Sequence, residues 1–492
     1  MRLAGKIALA VFAGLILLVA VVLVRTLTYK PAAVADGRDV RVAPPVAVDV
    51  DRAAQRLSAA VRIQTVSHQD RAEDQPAEWA RLHAFLAEAY PAAHAAMRRE
   101  LVAERTLVFT WPGSDAALAP IVLMAHQDVV PVTPGTEGDW KHPPFGGVIA
   151  EGAVWGRGAI DDKGSLITLF EGLETLAAGG FQPRRTVIVV SGHDEEVRGG
   201  GARAAAALLK SRGIRAQFVL DEGLAVIDGN PLTGGRLALV GTAEKGFATL
   251  KVTAEAKGGH SSAPPKDGGG VLTLARAVAA IADRPFPMRL DGPAGDMMAT
   301  AAPHAPFVVR MAVANRWLFG PLLKSQLGAT PAGAALMHTT IAPTMLKGSP
   351  KENVLPQDAT AWINYRIAPG DSSAEVMARA RAAVGDLPVT LAWNRPPDEP
   401  SPVSSTTSDA WKVIAAVAGE TARAPVAPGL VTAATDSRYM QPVAKDVYRF
   451  QPMALTVETT GMIHGTNEHL TLENLGMAVQ FYARLVATAA SR

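Results

Sequence analysis

Residues 121–128, IVLMAHQD, decide the fold class: a short, nearly continuous apolar run ends in an imidazole and a carboxylate. Apolar residues facing both ways along a strand indicate burial on both faces, as in a mostly parallel sheet covered by helices. Residues 186–191 (TVIVVS) and 218–220 (FVL) repeat the pattern, the first leading to Glu195 and Glu196, the second to Asp221. The functional crevice of an open α/β sheet lies beyond the carboxyl ends of its strands, so three separate segments point polar residues at one rim. Asp161 in WGRGAIDDKGS and His464 in GMIHGTNE bring the same residue types near the ends of apolar stretches.

Imidazole nitrogen and carboxylate oxygen are zinc ligands. With no cysteine in the chain thiolate sites are excluded, leaving a His/Asp/Glu site of the catalytic kind. In His126-Gln127-Asp128 alternate side chains share a face, so Asp128 can orient His126 and raise its basicity. The adjacent carboxylates of Glu195 and Glu196 are expected to divide two tasks: one binds metal while the other, its pKa raised by burial and nearby anions, shuttles protons. Acids there also suit the positive end of the helix expected over 199–209.

The segments MAHQDVVPV, WGRGAIDDKG, GHDEEVRGGGA, LDEG, GGHSSAPP, ENVLPQDATAWINYR and IHGTNEHL resemble the co-catalytic zinc peptidases that include aminoacylase, acetylornithine deacetylase, succinyl-diaminopimelate desuccinylase and glutamate carboxypeptidase. VRIQTVSHQ, GHDEEVRGGGA and TAATDSRYM are most similar to carboxypeptidase S, a Gly-Xaa carboxypeptidase, and to relatives that cleave and form N-fatty-acyl amino acids. The resemblance extends from about Asp51 to the C-terminus. It implies two zinc ions per subunit bridged by Asp161, one completed by His126 and Asp221, the other by Glu196 and His464. It further implies Glu195 as general base, Asp128 holding His126, and a cis peptide after Asp161. His260 would polarise the scissile carbonyl, often in the partner subunit of a homodimer, and Asn353 and Arg366 would hold a substrate carboxylate. Asn364 departs from the pattern, standing where many relatives have Asp.

The 492 residues, 48% hydrophobic, suffice for two or three domains with sizeable cores. A net charge of +2 and the lack of a basic tract interleaved with aromatics speak against nucleic acid as a partner. Residues 7–24 are an uncharged apolar run just long enough to cross a bilayer, read as a signal anchor, with the catalytic part expected outside the cytoplasm. Ala33-Val34-Ala35 has the form of a cleavage site but lies well beyond that run. Residues 31–48, rich in Ala, Val and Pro, suggest a semi-extended spacer holding the enzyme off the membrane.

Strands and helices then alternate to about Thr242, and a different rhythm follows: strand 247–257, helix 271–282, strands 338–346 and 358–367, helix 373–384, strand 389–393. That β-α-β-β-α-β order is the ferredoxin-like split unit. The expected organisation is an anchor (1–30), a linker (31–49), and a discontinuous α/β catalytic domain (50–243 and 397–492). A lid or dimerisation domain (244–396) interrupts the latter. Inside the lid, residues 286–336 are extra and densely apolar, expected to be lid core, a dimer contact or a wall for an acyl chain near the membrane. The chemistry expected is amide hydrolysis on peptides with a free C-terminal carboxylate. Long-chain or acetyl N-acyl amino acids are the alternative substrates, and a non-catalytic peptide-binding protein is the rival of another class.

Overall fold

The computed structural model of the protein describes residues 2–31 and 34–491, so Ala33 of the cleavage-like triplet lies outside the described residues. The catalytic sheet is built from β1 (Arg98–Val102), β2 (Thr106–Trp111), β3 (Ile121–Met124), β4 (Val187–Ser191), β5 (Phe218–Ile227) and β6 (Leu237–Glu244). The lid follows with β7 (Gly246–Glu255), β8 (Thr340–Lys347), β9 (Asp358–Ile367) and β10 (Thr390–Trp393), after which β11 (Val426–Val431) and β12 (Val447–Leu455) return to the first sheet. Its eight strands run in the order β1-β2-β4-β3-β5-β12-β6-β11. The centre, β4-β3-β5-β12, is parallel, and every residue of β3 and β4 is buried. Helices Val50–Val61, Lys163–Ala178 and Leu472–Ala490 supply the cover that such strands require: Leu57, Phe170 and Phe481 belong to one core with Leu123 and Val189.

Strand β5 runs seven residues beyond Leu220, where the sequence pattern suggests an end. Asp221 therefore stands inside a strand. Its partner β12 pairs Arg449 with Asp221 but Phe450 with Leu224, so Glu222 and Gly223 bulge out of the ladder. A bulge re-aims side chains without ending the strand, and Gly223, at φ 140°, supplies the conformation that a side chain resists.

The lid strands form one antiparallel sheet, β8-β9-β7-β10, covered by helices Gly269–Ala282 and Ser373–Val384. This is the ferredoxin-like order that the sequence rhythm suggests. The extra segment behaves differently from a lid core: Phe286 joins it, but Met297, Met298, Ala301 and Val313 pack with Leu237 and Ala427 of the catalytic sheet. The insertion thus spans from the lid to the far edge of that sheet.

Residues 34–48 carry no helix or strand, in keeping with a semi-extended linker, but they are strapped to the body. Ala35 accepts from the Trp411 indole at 2.8 Å, Ala43 N donates to Thr488 Oγ1 at 2.9 Å, and Val46 N to Gln480 Oε1 at 3.1 Å. A free spacer is excluded because its backbone polar groups find fixed partners along the helices Asp409–Ala422 and Leu472–Ala490.

Candidate metal centre

Beyond the ends of β3 and β4 the two chains stay tied. Gln127 N donates to Gly192 O at 2.8 Å, and the Gln127 amide to Ser191 O at 2.7 Å. That brings His126 and Asp128 beside the turn of Glu195 and Glu196. The Asp128 carboxylate, fully buried, receives the backbone N–H of both glutamates at 3.1 Å and the Ser67 hydroxyl at 2.6 Å. It also lies 3.3 Å from His126 Nδ1, which faces the Asp128 carbonyl at 3.0 Å. With Nδ1 held, Nε2 is turned to Asp161 Oδ1 at 2.9 Å.

Asp161 presents its other oxygen, Oδ2, to His464 Nε2 at 3.2 Å, and the same nitrogen is 3.1 Å from the Glu196 carboxylate. One carboxylate thus faces two imidazoles from opposite oxygens. His126, Asp161 and Glu196 can each offer a ligand atom with all three atoms within 4.8 Å of one another. Asp221 stands outside that group, yet near enough to His126 for the imidazole charge to favour its ionised form; its oxygens accept from Glu222 N at 3.0 Å and Ser437 N at 2.8 Å.

Three residues singled out in the sequence sit on the lid. His260 and Asn353 are exposed, His260 with its Nδ1 against the Ser262 hydroxyl at 2.7 Å and Asn353 bonded through its carbonyl to Ser261 N at 3.1 Å. Among the described residues no hydrogen bond or ion pair joins either to the His126 cluster. Arg366 stacks on Phe247, 4.8 Å from the ring centroid, and its guanidinium feels the like charge of Arg438. Asn364, the departure from the family pattern, donates to Thr249 Oγ1 at 3.2 Å and stays within the lid sheet.

Sequence reasoning missed the supports. Glu468 accepts from Ile160 N at 2.8 Å and Asp161 N at 3.1 Å while pairing with buried Arg157 at 2.7 Å, so it fixes the backbone that carries Asp161. Asp162, joined to Asp161 by a cis peptide, accepts from His126 N at 3.0 Å. Both carboxylate oxygens of Asp436 are buried without a hydrogen-bond partner, lodged where a Cβ on Gly192 or Gly199 would come within 2.1 Å or less. Arg438, two residues on, has a buried unpartnered Nε and is close to Glu195. Glu468 and Asp436 stand inside the motifs NEHL and TDSR; nothing in residue type alone separates them from solvated acids.

So many carboxylates in so small a volume repel one another. Burial is the largest cause pushing Glu195, Glu222 and Asp436 well above their ordinary values, and it lifts Glu196 to about 7 and Asp162 to about 8. The imidazoles are the nearest counter-charges. Against the cost of burial, Asp128 and Asp161 push His126 well above its ordinary value, and hydrogen bonds to Asp161 and Glu196 lift His464 to about 10. A half-buried, oxygen-rich cluster with two imidazoles, His126 buried and His464 exposed, and excess negative charge fits divalent cations of the zinc type.

Residues 122–488 match the model of peptidase family M20/M25/M40. The chain belongs to this family. It is 35% identical to N-fatty-acyl-amino acid synthase/hydrolase PM20D1 of Xenopus tropicalis, over 98% of this chain and 95% of that one. To carboxypeptidase S of Saccharomyces cerevisiae it is 30% identical, over 87% and 82%. Among solved structures, an M20 family metallo-carboxypeptidase from Sulfolobus solfataricus superposes with a TM-score of 0.62 at 16% identity, covering 87% of this chain and 97% of that one. Human carnosine dipeptidase 1 gives 0.61 at 14% identity, covering 90% and 100%. The protein is therefore a metal-dependent hydrolase of the M20 metallopeptidase and amidohydrolase type, and the cluster around Asp161 is its candidate metal site.

The charge balance of that site predicts a pH signature. A carboxyl whose pKa is higher folded than unfolded contributes stability that is complete below the ordinary value and is lost as pH rises through the folded one. For Glu196 and Asp162 the loss spans from their ordinary 4.5 and 3.8 to about 7 and about 8. Chelated protein should therefore lose thermal stability across that window. Zinc should restore it by an increment that grows with pH, because its ligands must be deprotonated. Melting temperatures with chelator and with zinc at a series of pH values check this; a pH-independent increment would contradict it.

Proposed function

We propose that this M20 enzyme hydrolyses an amide bond whose amine-side product is an amino acid with a free α-carboxylate, with Glu195 as general base. The observation that carries this reading is the placement of Glu195: a buried carboxyl of raised pKa, its N–H and that of Glu196 fixed on Asp128, next to the His126–Asp161–His464–Glu196 cluster. The donor set suits two zinc ions: His126 and Asp221 would hold one, Glu196 and His464 the other, and Asp161 would serve both. Bound there, zinc supplies Lewis acidity toward a carbonyl and makes water a better acid near neutral pH. Glu195 takes the proton of the attacking water and returns it to the departing nitrogen, a task for which a raised carboxyl pKa is suited. Asp128 keeps the His126 tautomer fixed while this happens.

Arg366 and Asn353 hold the substrate carboxylate. Support comes from the electrostatics: Arg366 lies near Arg438 and near buried Lys245, three cations without a compensating acid on Arg366 itself. Peptides with a free C-terminus present such a carboxylate, and so do N-acyl amino acids carrying long-chain or acetyl groups. The second substrate class is favoured by the full-length similarity to a protein named N-fatty-acyl-amino acid synthase/hydrolase. A binding-only role gives no reason for a base poised at Glu195.

His260 and Asn353 suit a site completed by a second copy, and the lid domain (244–396) is the natural contact between the two catalytic domains (50–243 with 397–492). Its edge strand β8 is open, with Met345 and Leu346 exposed, the kind of edge that a second strand or helix covers. The first helix, Arg2–Leu27, anchors the enzyme in a membrane with its catalytic part outside the cytoplasm; its apolar window has a mean hydropathy of 3.3 and is almost wholly exposed.

Glu195→Gln should cut kcat by about 10²–10⁴-fold with bound zinc unchanged by metal analysis, whereas His464→Ala should lose metal. Activity within tenfold of wild type in the first variant, or full metal in the second, removes the assigned role. Arg366→Ala should lower kcat/KM on dipeptides and on N-acetyl or N-oleoyl amino acids yet act mildly on their C-terminal amides; equal losses would count against carboxylate recognition. Mixing and reassorting inactive Glu195→Gln and His260→Ala proteins should restore about one quarter of wild-type activity, since half the dimers are then mixed and each has one intact site. No recovery means His260 serves its own subunit or none.

A further inference from the structure

The helix Arg2–Leu27 is exposed along most of its length, but its last turns are gripped by the lid insertion. The Asn315 amide, itself fully buried, donates to Val22 O and Thr26 Oγ1, both at 3.2 Å, and Arg25 Nη2 reaches Ala314 O at 3.4 Å. Val22 and Thr26 are consequently 7% and 1% exposed. Asn315 joins the insertion helices Phe307–Ala314 and Arg316–Gly328, so both begin or end at the level where the apolar length of the first helix runs out.

Those two helices do not hide their apolar side chains. Trp317, Leu318, Pro321 and Leu322 repeat at helical spacing on the exposed face of the second, with Trp317 57% and Leu322 52% exposed. On the first, Phe307 and Val308 are 43% and 68% exposed. Between Asp296 and Glu352 the chain has no acidic residue, while Arg310, Arg316, Lys324, Lys347 and Lys351 are all basic. Asp291 and Asp296 share a groove with Arg316 and Lys324, but the charges the two helices themselves carry, Arg310, Arg316 and Lys324, are all positive. An apolar helix face with interfacial tryptophan and basic residues is the composition of a segment lying in the headgroup layer of an anionic bilayer.

From these contacts we infer that the helices Phe307–Ala314 and Arg316–Gly328 form a membrane-seating platform: their exposed apolar face enters the lipid interface beside the first helix. The inference rests on reading that helix as the anchor. The occupant is lipid because the platform continues a surface that already carries the membrane helix.

The natural chain has no cysteine, so a single introduced thiol reports one place. Full-length Val308→Cys and Leu322→Cys proteins, spin-labelled in nanodiscs of phosphatidylcholine and phosphatidylglycerol, are compared with Leu15→Cys in the anchor and with Leu101→Cys, exposed on β1. Collisions with oxygen above those with an aqueous nickel chelate are expected at 308, 322 and 15, and the reverse at 101. A nickel-dominated signal at either 308 or 322, or shielding from both reagents as under a second copy of the chain, overturns the platform whatever position 15 reports. A water-like signal at position 15 separately ends the anchor reading.

Discussion

A single buried carboxylate, that of Asp128, holds the centre together. It has the side chain of Ser67 on one oxygen, the N–H groups of Glu195 and Glu196 on its two oxygens, and the His126 imidazole alongside. A carboxylate accepting several such bonds stays ionised despite burial, and its pKa is indeed held below the ordinary value against the cost of desolvation. The consequence is geometric. The imidazole of His126 from the end of β3 and the two glutamates of the turn after β4 are referred to the same atom group, so they cannot drift relative to one another. Glu468 does the corresponding work for Asp161 from the opposite side, with Arg157 as its counter-ion.

These supports keep in place an arrangement that repels itself. Asp161, Glu196, Asp221, Glu222, Glu195 and Asp436 influence one another's ionisation, and His126, His464 and Arg438 answer them with positive charge. Holding like charges in place costs stability that the surrounding core has to supply, as is common where a site is organised for binding cations. The glycines that admit the Asp436 carboxylate, Gly192 and Gly199, are part of that organisation: a methyl at either would strike it.

What could be read from the sequence divides by mechanism. The apolar runs at 121–125 and 186–191 and the β-α-β-β-α-β rhythm after Glu244 follow from local periodicity, and they describe the observed elements to within a few residues. The extension of β5 past Asp221 was not legible, because the bulge at Glu222 and Gly223 depends on β12, more than two hundred residues away. Glu468, Asp162 and Asp436 were invisible for the same reason: residue type says that an acid is present, while its partner is decided by the fold. The linker misled because Ala, Val and Pro describe an extended chain equally well in solvent and laid along two helices.

The insertion and the linker together constrain how the domains can move. The linker, which follows the first helix, is bonded to the catalytic domain through Trp411, Gln480 and Arg484. The insertion belongs to the lid by sequence, grips the end of the same helix through Asn315, and buries Met297 and Met298 with Leu237 and Ala427 of the catalytic sheet. Catalytic sheet and insertion therefore share one small apolar core, and Tyr29, just past the first helix, packs against it. A hinge between lid and catalytic domain that separated these surfaces would expose that core to water, at roughly 25 cal/mol for each Å² of apolar area. Rotation about this corner keeps it buried.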